Sequence, residues 1–416
     1  MRNFLPTTWL LLFLTLVAPL KAQFVTTPDD KKQRQNPKNE QRLIDEQLAN
    51  EYFRNHEYDK AKDLFKQLFE KTKQTYLFQQ YIDCTILLKQ YEEAEKALKD
   101  FNKSNPNYAK GTIDLVYVYT LSDKSSKAEK QFKDILKNLP QNAPFIRNVG
   151  NLFQSRGLYD MALAVFEKGN TLLAGKESFY MEQANIYHSM ANYQEAFRYY
   201  FLELEKNPGQ YNTIKNRLQT MLFYDVNNSI SDELRIALLK RTQEKPDNLE
   251  LAQMLVWFAI QQEDYDIALA QCQSIDRKTH NQDAQIINLS GICLNNKQFD
   301  IAKQGYAYIL DKGVSSPFYG QALTGTIKAD YLKLLAENST DKKAFERLSK
   351  RIDGAYNNIS SNDLAKLTVI HSDILAYQLG QSDEAIQLLT NTIETKEEID
   401  LFLNSGIVKF VNDLHS

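Results

Sequence analysis

The 416-residue chain contains only 14 Gly and 10 Pro but 23 Tyr and 22 Phe. That punctuation is too sparse for an all-β protein of this length, so helices packed through aromatic side chains are the simplest account. With 50 Lys and Arg against 53 Asp and Glu, the formal net charge is -3. The balance points to no nucleic acid, and the length admits two or three globular domains or one solenoid that grows by addition.

Residues 1–22 carry Arg2, then the apolar run 9–17, then Ala18-Pro19-Leu20-Lys21-Ala22. This order of charged, apolar and small-residue regions reads as a secretory signal peptide. Its apolar core is shorter than the ~20 residues that span a bilayer. The first Cys is Cys84, so no thiol is available for lipid attachment at the leader's end. The mature chain is expected to begin at Gln23 without a membrane span. Residues 23–40, with Pro28, Pro37, Asp29, Asp30, Lys31 and Lys32, have too little apolar content to bury and read as a flexible linker.

From 41 to 208 one pattern recurs. Gly150, Phe153, Tyr159, Ala162 and Phe166 are answered 34 residues later by Ala184, Tyr187, Tyr193, Ala196 and Tyr200, with Pro208 closing the second copy. Earlier copies hold Leu48, Ala49, Tyr52, Tyr58, Ala61 and Phe65; then Tyr91, Ala94, Leu98 and Pro106; then Tyr119, Ala128, Phe132 and Pro140. Ile82 and Val116 stand where a small residue is expected. The period predicts paired helices whose small residues sit at the crossings, because larger side chains would push the axes apart.

The phase breaks over 209–246, where Leu234 replaces the expected Ala and the polar run Asp225-Val226-Asn227-Asn228-Ser229 predicts a splayed pair with a longer turn. Register returns over 247–316 with Leu255, Tyr265 and Ala268, then Leu289, Ser290, Cys293, Phe299, Ala302 and Tyr306. Over 317–416 the repeats diverge. Helices there read longer, Asn338-Ser339-Thr340-Asp341 is a break, Ala376, Ala385 and Leu389 mark a last copy, and 397–414 is expected to be a C-terminal capping helix.

These residues resemble the tetratricopeptide repeat (TPR) family, whose first helix carries a small residue and an aromatic, followed by Ala, a second aromatic and a closing Pro. Ile146-Arg147-Asn148-Val149-Gly150-Asn151 is a close match to the first-helix consensus. The resemblance implies an all-α, TPR-type α-solenoid, a right-handed superhelix of about ten antiparallel helix pairs. It also implies a concave groove lined by the first helices, which would show Asn50, Phe53, Asp83, Tyr117, Arg147, Asn151, Gln154, Asn185, His188, Gln253 and Trp257. Amides beside isolated aromatics suit an extended peptide, whose backbone needs hydrogen-bond partners and whose side chains need pockets. Asn151 also matches the bare repeat consensus and is equally explained as scaffold.

Chemistry-bearing clusters are scarce. His56, His188, His280, His371 and His415 form no pair at helical metal-ligand spacing. Gly175-Lys176 lacks the remaining residues of a phosphate loop and reads as a helix end. No catalytic, cofactor or metal site is expected. Cys272 and Cys293 fall on neighbouring helices, as buried free thiols or as a disulfide. A leader ending Ala22-Gln23 ahead of such repeats is similar to exported proteins of Gram-negative bacteria. The function implied is a non-enzymatic periplasmic scaffold or adaptor that binds other exported or envelope proteins in envelope assembly, secretion or polysaccharide export. The alternative is a small-molecule or glycan-binding solenoid, disfavoured because the sequence gathers no aromatics at one place.

Overall fold

The computed structural model describes residues 37–356 and 360–395. The leader at 1–22, the linker up to residue 36 and the capping helix expected at 397–414 lie outside the described residues. Every regular element among the described residues is helical, and the α-helices follow one another as ten pairs. The first four pairs are α1 (Pro37–Arg54) with α2 (Tyr58–Thr72), α3 (Thr75–Leu87) with α4 (Tyr91–Ser104), α5 (Ala109–Leu121) with α6 (Ser125–Lys137), and α7 (Ala143–Ser155) with α8 (Tyr159–Leu172). Then come α9 (Tyr180–Ser189) with α10 (Tyr193–Lys206), α11 (Tyr211–Phe223) with α12 (Ser229–Glu244), and α13 (Leu249–Gln261) with α14 (Tyr265–Thr279). The last three are α15 (Asp283–Asn295) with α16 (Phe299–Leu310), α17 (Tyr319–Ala336) with α18 (Lys342–Ala355), and α19 (Ser361–Asp373) with α20 (Ser382–Thr395). Helix α1 begins inside the segment expected to be linker to residue 40. Proline is tolerated in a first helical turn, where its missing N–H has no intrahelical role.

The pairs repeat down to the backbone of their turns. Lys89, Asp123, Gly157 and Ala191 all take positive φ, and so do Glu263 and Lys297. After each of these residues an N–H reaches back to close the preceding helix: Gln90 to Thr85, Lys124 to Tyr119, Leu158 to Phe153, Asn192 to Tyr187, Asp264 to Ala259 and Gln298 to Cys293. This is the Schellman closure, built here mostly without glycine. It reverses the chain and sends each second helix back along the first. Side-chain caps add to it where Asn142, Asn192 and Asn248 accept from the N–H groups of Phe145, Glu195 and Leu251.

The chain divides into two compact units, residues 1–165 and 166–416, with the boundary inside α8. In the first, Ala61, Ala94, Ala128 and Ala162 are buried at the helix crossings, as the period requires, and Ile82 and Val116 are fully buried at the positions where small residues were expected. Phe78 and Phe101 stack with ring centroids 3.9 Å apart. In the second unit Ala196, Ala268, Ala302 and Ala385 occupy the same buried positions, and Leu234 fills the one in the irregular pair. That pair is splayed: α12 packs chiefly on α10 and α13 and only lightly on its own partner α11. The frame is also lost near the end, where a π-helical turn over Ile374–Leu379 takes in Ala376.

Cys84, Cys272 and Cys293 are free and buried, and the last two share one apolar cluster. Burial pushes the thiols of Cys84 and Cys272 up to about 12 and that of Cys293 up to about 11. Gly175 takes φ of 81° after α8, as a helix-end glycine should. No helix among the described residues is long and apolar enough to cross a membrane.

Candidate functional site

The first helices α3, α5 and α7 belong to three consecutive pairs of the first unit, and one side chain joins them. Arg156, in the turn after α7, donates from Nε to Asp114 Oδ1 of α5 at 2.7 Å and from Nη2 to Asp83 Oδ1 of α3 at 2.6 Å. A single guanidinium can reach two pairs back only if the first helices converge on that face, so the face is the inner side of a curved stack within this unit. Gln79 of α3 donates to the other oxygen of Asp114 at 2.8 Å, and Tyr108 donates to Gln79 Oε1 at 3.4 Å. The Arg156 guanidinium lies 5.4 Å from the centre of the Tyr117 ring.

Asp114 is fully buried, so its charge has to be matched where it stands. Burial would lower the affinity of Arg156 for its proton, but Asp114 and then Asp83 outweigh that and raise it. Lys110, one turn before Asp114 on α5, behaves in the opposite way. Burial is the largest influence and lowers its pKa, against the opposing pull of Asp114 and Asp83. Burial also raises the Tyr108 phenol, helped by the same two carboxylates. The result is a polar patch on an inner face with one ion-paired guanidinium, one half-buried ammonium and the edges of two tyrosines. It is equipped to bind and orient polar groups. An active site would also need a nucleophile beside a base and a place for developing charge.

Of the residues expected in the groove, Asp83 and Tyr117 join this network. Arg147 and Gln154 are half-buried on α7, and Asn151 is exposed between them. Asn50 is exposed but donates to the Glu46 carbonyl of its own helix at 2.8 Å. Phe53 packs edge-on against Tyr58 at 5.5 Å. In the second unit, Asn185 Oδ1 accepts from Tyr200 at 3.0 Å and from Arg217 at 2.9 Å, which ties α9 to α10 and α11. His188 is exposed near the Tyr193 ring. Gln253 accepts weakly through its carbonyl from Tyr211 at 3.4 Å, and the Lys215 ammonium sits 5.9 Å from the Trp257 ring centre.

Asp114, Arg156, Lys110 and Gln79 were not among the expected residues. Asp114 had a signal, as the lone acid inside the apolar run Ile113-Asp114-Leu115-Val116. Arg156 had another, since the equivalent turns of the flanking copies carry Ser122 and Met190. The expectation that no aromatics gather at one place also needs correction. Tyr187 and Tyr199 stack at 5.4 Å, Tyr180 lies 6.1 Å from Tyr199, and Arg198 sits 4.2 Å over the Tyr199 ring. The fold brings together residues that the sequence scatters over α9 and α10.

No family model matches the chain, and no curated protein matches it. Among solved structures it is similar to yeast Tom70, with 13% identity, 91% of this chain and 96% of that chain covered, and a TM-score of 0.30. It is also similar to the P58(IPK) TPR domain, with 12% identity, coverage of 90% and 98%, and a TM-score of 0.23. A tetratricopeptide repeat protein from Parabacteroides merdae gives 14% identity, coverage of 74% and 99%, and a TM-score of 0.25. Scores and identities this low say nothing about what this chain binds. Its description as an all-α, TPR-type repeat rests on its own helix pairs, their buried alanines and their recurring turns.

Proposed function

We propose that the protein is a non-enzymatic scaffold whose first unit binds an extended segment of another polypeptide on the face of α3, α5 and α7. The observation that carries this is the convergence of those helices around Arg156, which lies against the Tyr117 ring, while the half-buried Lys110 of α5 makes no hydrogen bond among the described residues and Asn151 of α7 is exposed. A half-buried ammonium is a donor waiting for an acceptor, and an extended peptide offers carbonyls at regular spacing. The order of charged, apolar and small residues over 1–22 supports export to the periplasm of a mature chain that begins at Gln23, with other exported or envelope proteins as its partners. Envelope assembly, secretion and polysaccharide export are the processes such a scaffold serves.

The test is capture from envelope extract by the parent and by a Lys110→Ala, Asn151→Ala double variant. Capture of the same identified protein should fall by at least about tenfold. Helicity should be unchanged, and Asn151→Ala, the exposed change, should by itself move stability by no more than about 0.5 kcal/mol. Equal capture by both proteins would remove the site from this face. Mass spectrometry of the envelope fraction should find Gln23 as the first residue; an intact Met1 would overturn the export reading. The Tyr180, Tyr187 and Tyr199 group favours a second reading, glycan binding in the second unit. Because Arg198 and Tyr187 already cover the Tyr199 ring, the polypeptide reading is preferred.

A further inference from the structure

The turn joining α11 and α12 is unlike the others. The first helices of other pairs end on Leu87-Leu88, Leu121-Ser122, Ser155-Arg156, Ser189-Met190, Gln261-Gln262 and Asn295-Asn296, where the exposed large apolar side chains are Leu87 at 48% and Met190 at 41%. Here Phe223 is 81% exposed, Tyr224 72% and Val226 98%, with the two rings edge-on at 5.2 Å. Leaving such side chains in water forgoes about 1.5–3 kcal/mol for each large apolar group that could be buried. Isolated exposed apolar residues need no explanation, but three within four positions do.

The turn is also held in shape. Asp225 Oδ2 accepts from the Ser231 N–H at 2.7 Å, Asn227 Oδ1 accepts from the Ser229 hydroxyl at 2.9 Å, and Asn228 sits at φ of 60°. The N–H groups of Tyr224 and Asp225 return to Met221 and Leu222. A preorganised aromatic pair loses little freedom on binding, which is the usual character of an interface anchor.

The charge around the turn selects its partner. No Lys or Arg lies between Arg217 and Arg235, while Asp225, Asp232 and Glu233 do. Arg235 is ion-paired with Asp264 of the next turn, and Ser231 touches Gln262 beside Glu263 at 3.0 Å. An acidic surround opposes an anionic lipid surface, and it opposes pairing with the same turn of a second copy, because like charges would meet in both cases. Farther along α12 a separate groove of ≈500 Å³ lies between α10 and α12, lined by Phe201, Ile236 and Ala237 together with Glu195, Glu233 and Glu244 and with Arg198, Lys240 and Arg241. Ile236 is 66% exposed there.

We propose that this turn is a second interaction surface, an aromatic anchor that enters an apolar pocket rimmed by lysine or arginine on a partner protein. It is independent of the face formed by α3, α5 and α7, and it needs no part of that reading to hold.

The experiment places a benzophenone amino acid at Tyr224 of the full chain, and at Lys130 of α6 as a control, in cells that produce the protein. Irradiation at position 224 should give a discrete product whose cross-linked peptide, identified by mass spectrometry, is apolar and flanked by Lys or Arg. Phe223→Asp with Val226→Asp should reduce it at least about tenfold. Raising salt to about 0.5 M should reduce it too, because the steering is electrostatic. Lys110→Ala with Asn151→Ala should leave it unchanged. Vesicles of phosphatidylcholine, alone or mixed with phosphatidylglycerol, should not float the protein. Identical products at both positions, no product at 224, products only with a second copy or with lipid, a captured peptide lacking basic residues, or flotation with either vesicle would each overturn the proposal.

Discussion

Arg156 and Asp114 lie 42 residues apart in sequence and meet at 2.7 Å between adjacent helix pairs, where the carboxylate has no access to water. Removing the cation therefore strands a buried charge. Arg156→Leu should cost about 3–5 kcal/mol, and Arg156→Leu combined with Asp114→Leu should recover most of that loss. Urea midpoints of the two single variants and the double variant complete the cycle. Additive losses would show that the pair does not act as a unit.

Ala162 is fully buried at the position where the repeat period calls for a small residue at a helix crossing. Ala162→Leu should overpack the crossing and cost about 1–3 kcal/mol. Lys130→Leu, on an exposed face of α6, should move stability by no more than about 0.5 kcal/mol. Equal unfolding midpoints for the two would deny that the alanine sets the helix spacing.

His371 is buried, with Ser349 Oγ at 2.7 Å from Nε2 and Tyr356 Oη at 2.9 Å from Nδ1. Burial lowers its pKa below the ordinary 6.5, with Asp353 opposing weakly. A depressed histidine binds its proton more readily when unfolded, so its contribution is present above the ordinary value and is lost as pH falls through it. The urea midpoint should therefore fall between about pH 7 and pH 5, and His371→Gln should flatten that slope. An unchanged slope in the variant would assign the pH dependence elsewhere.

Thiol counting on the unfolded, non-reduced protein should find all three cysteines, Cys84, Cys272 and Cys293, free. A count of one would mean that Cys272 and Cys293 are bonded.

The helix pairs were legible in the sequence because each is a local event. A 34-residue recurrence of alanine and aromatic residues fixes which faces bury, and Ala94, Ala128, Ala162 and Ala196 are buried as that spacing requires. Even the splay of α11 and α12 was visible, in Leu234 and the polar run before Ser229. The Arg156 network was not, beyond Asp83 and Tyr117. A repeat frame says which positions face inward, but it is blind to side chains that reach out of their own pair. Arg156 reaches two pairs back, and Arg217 of α11 reaches Asn185 of the preceding pair. Those contacts depend on how closely neighbouring pairs approach, and that distance is set by packing along the whole stack rather than by any one repeat.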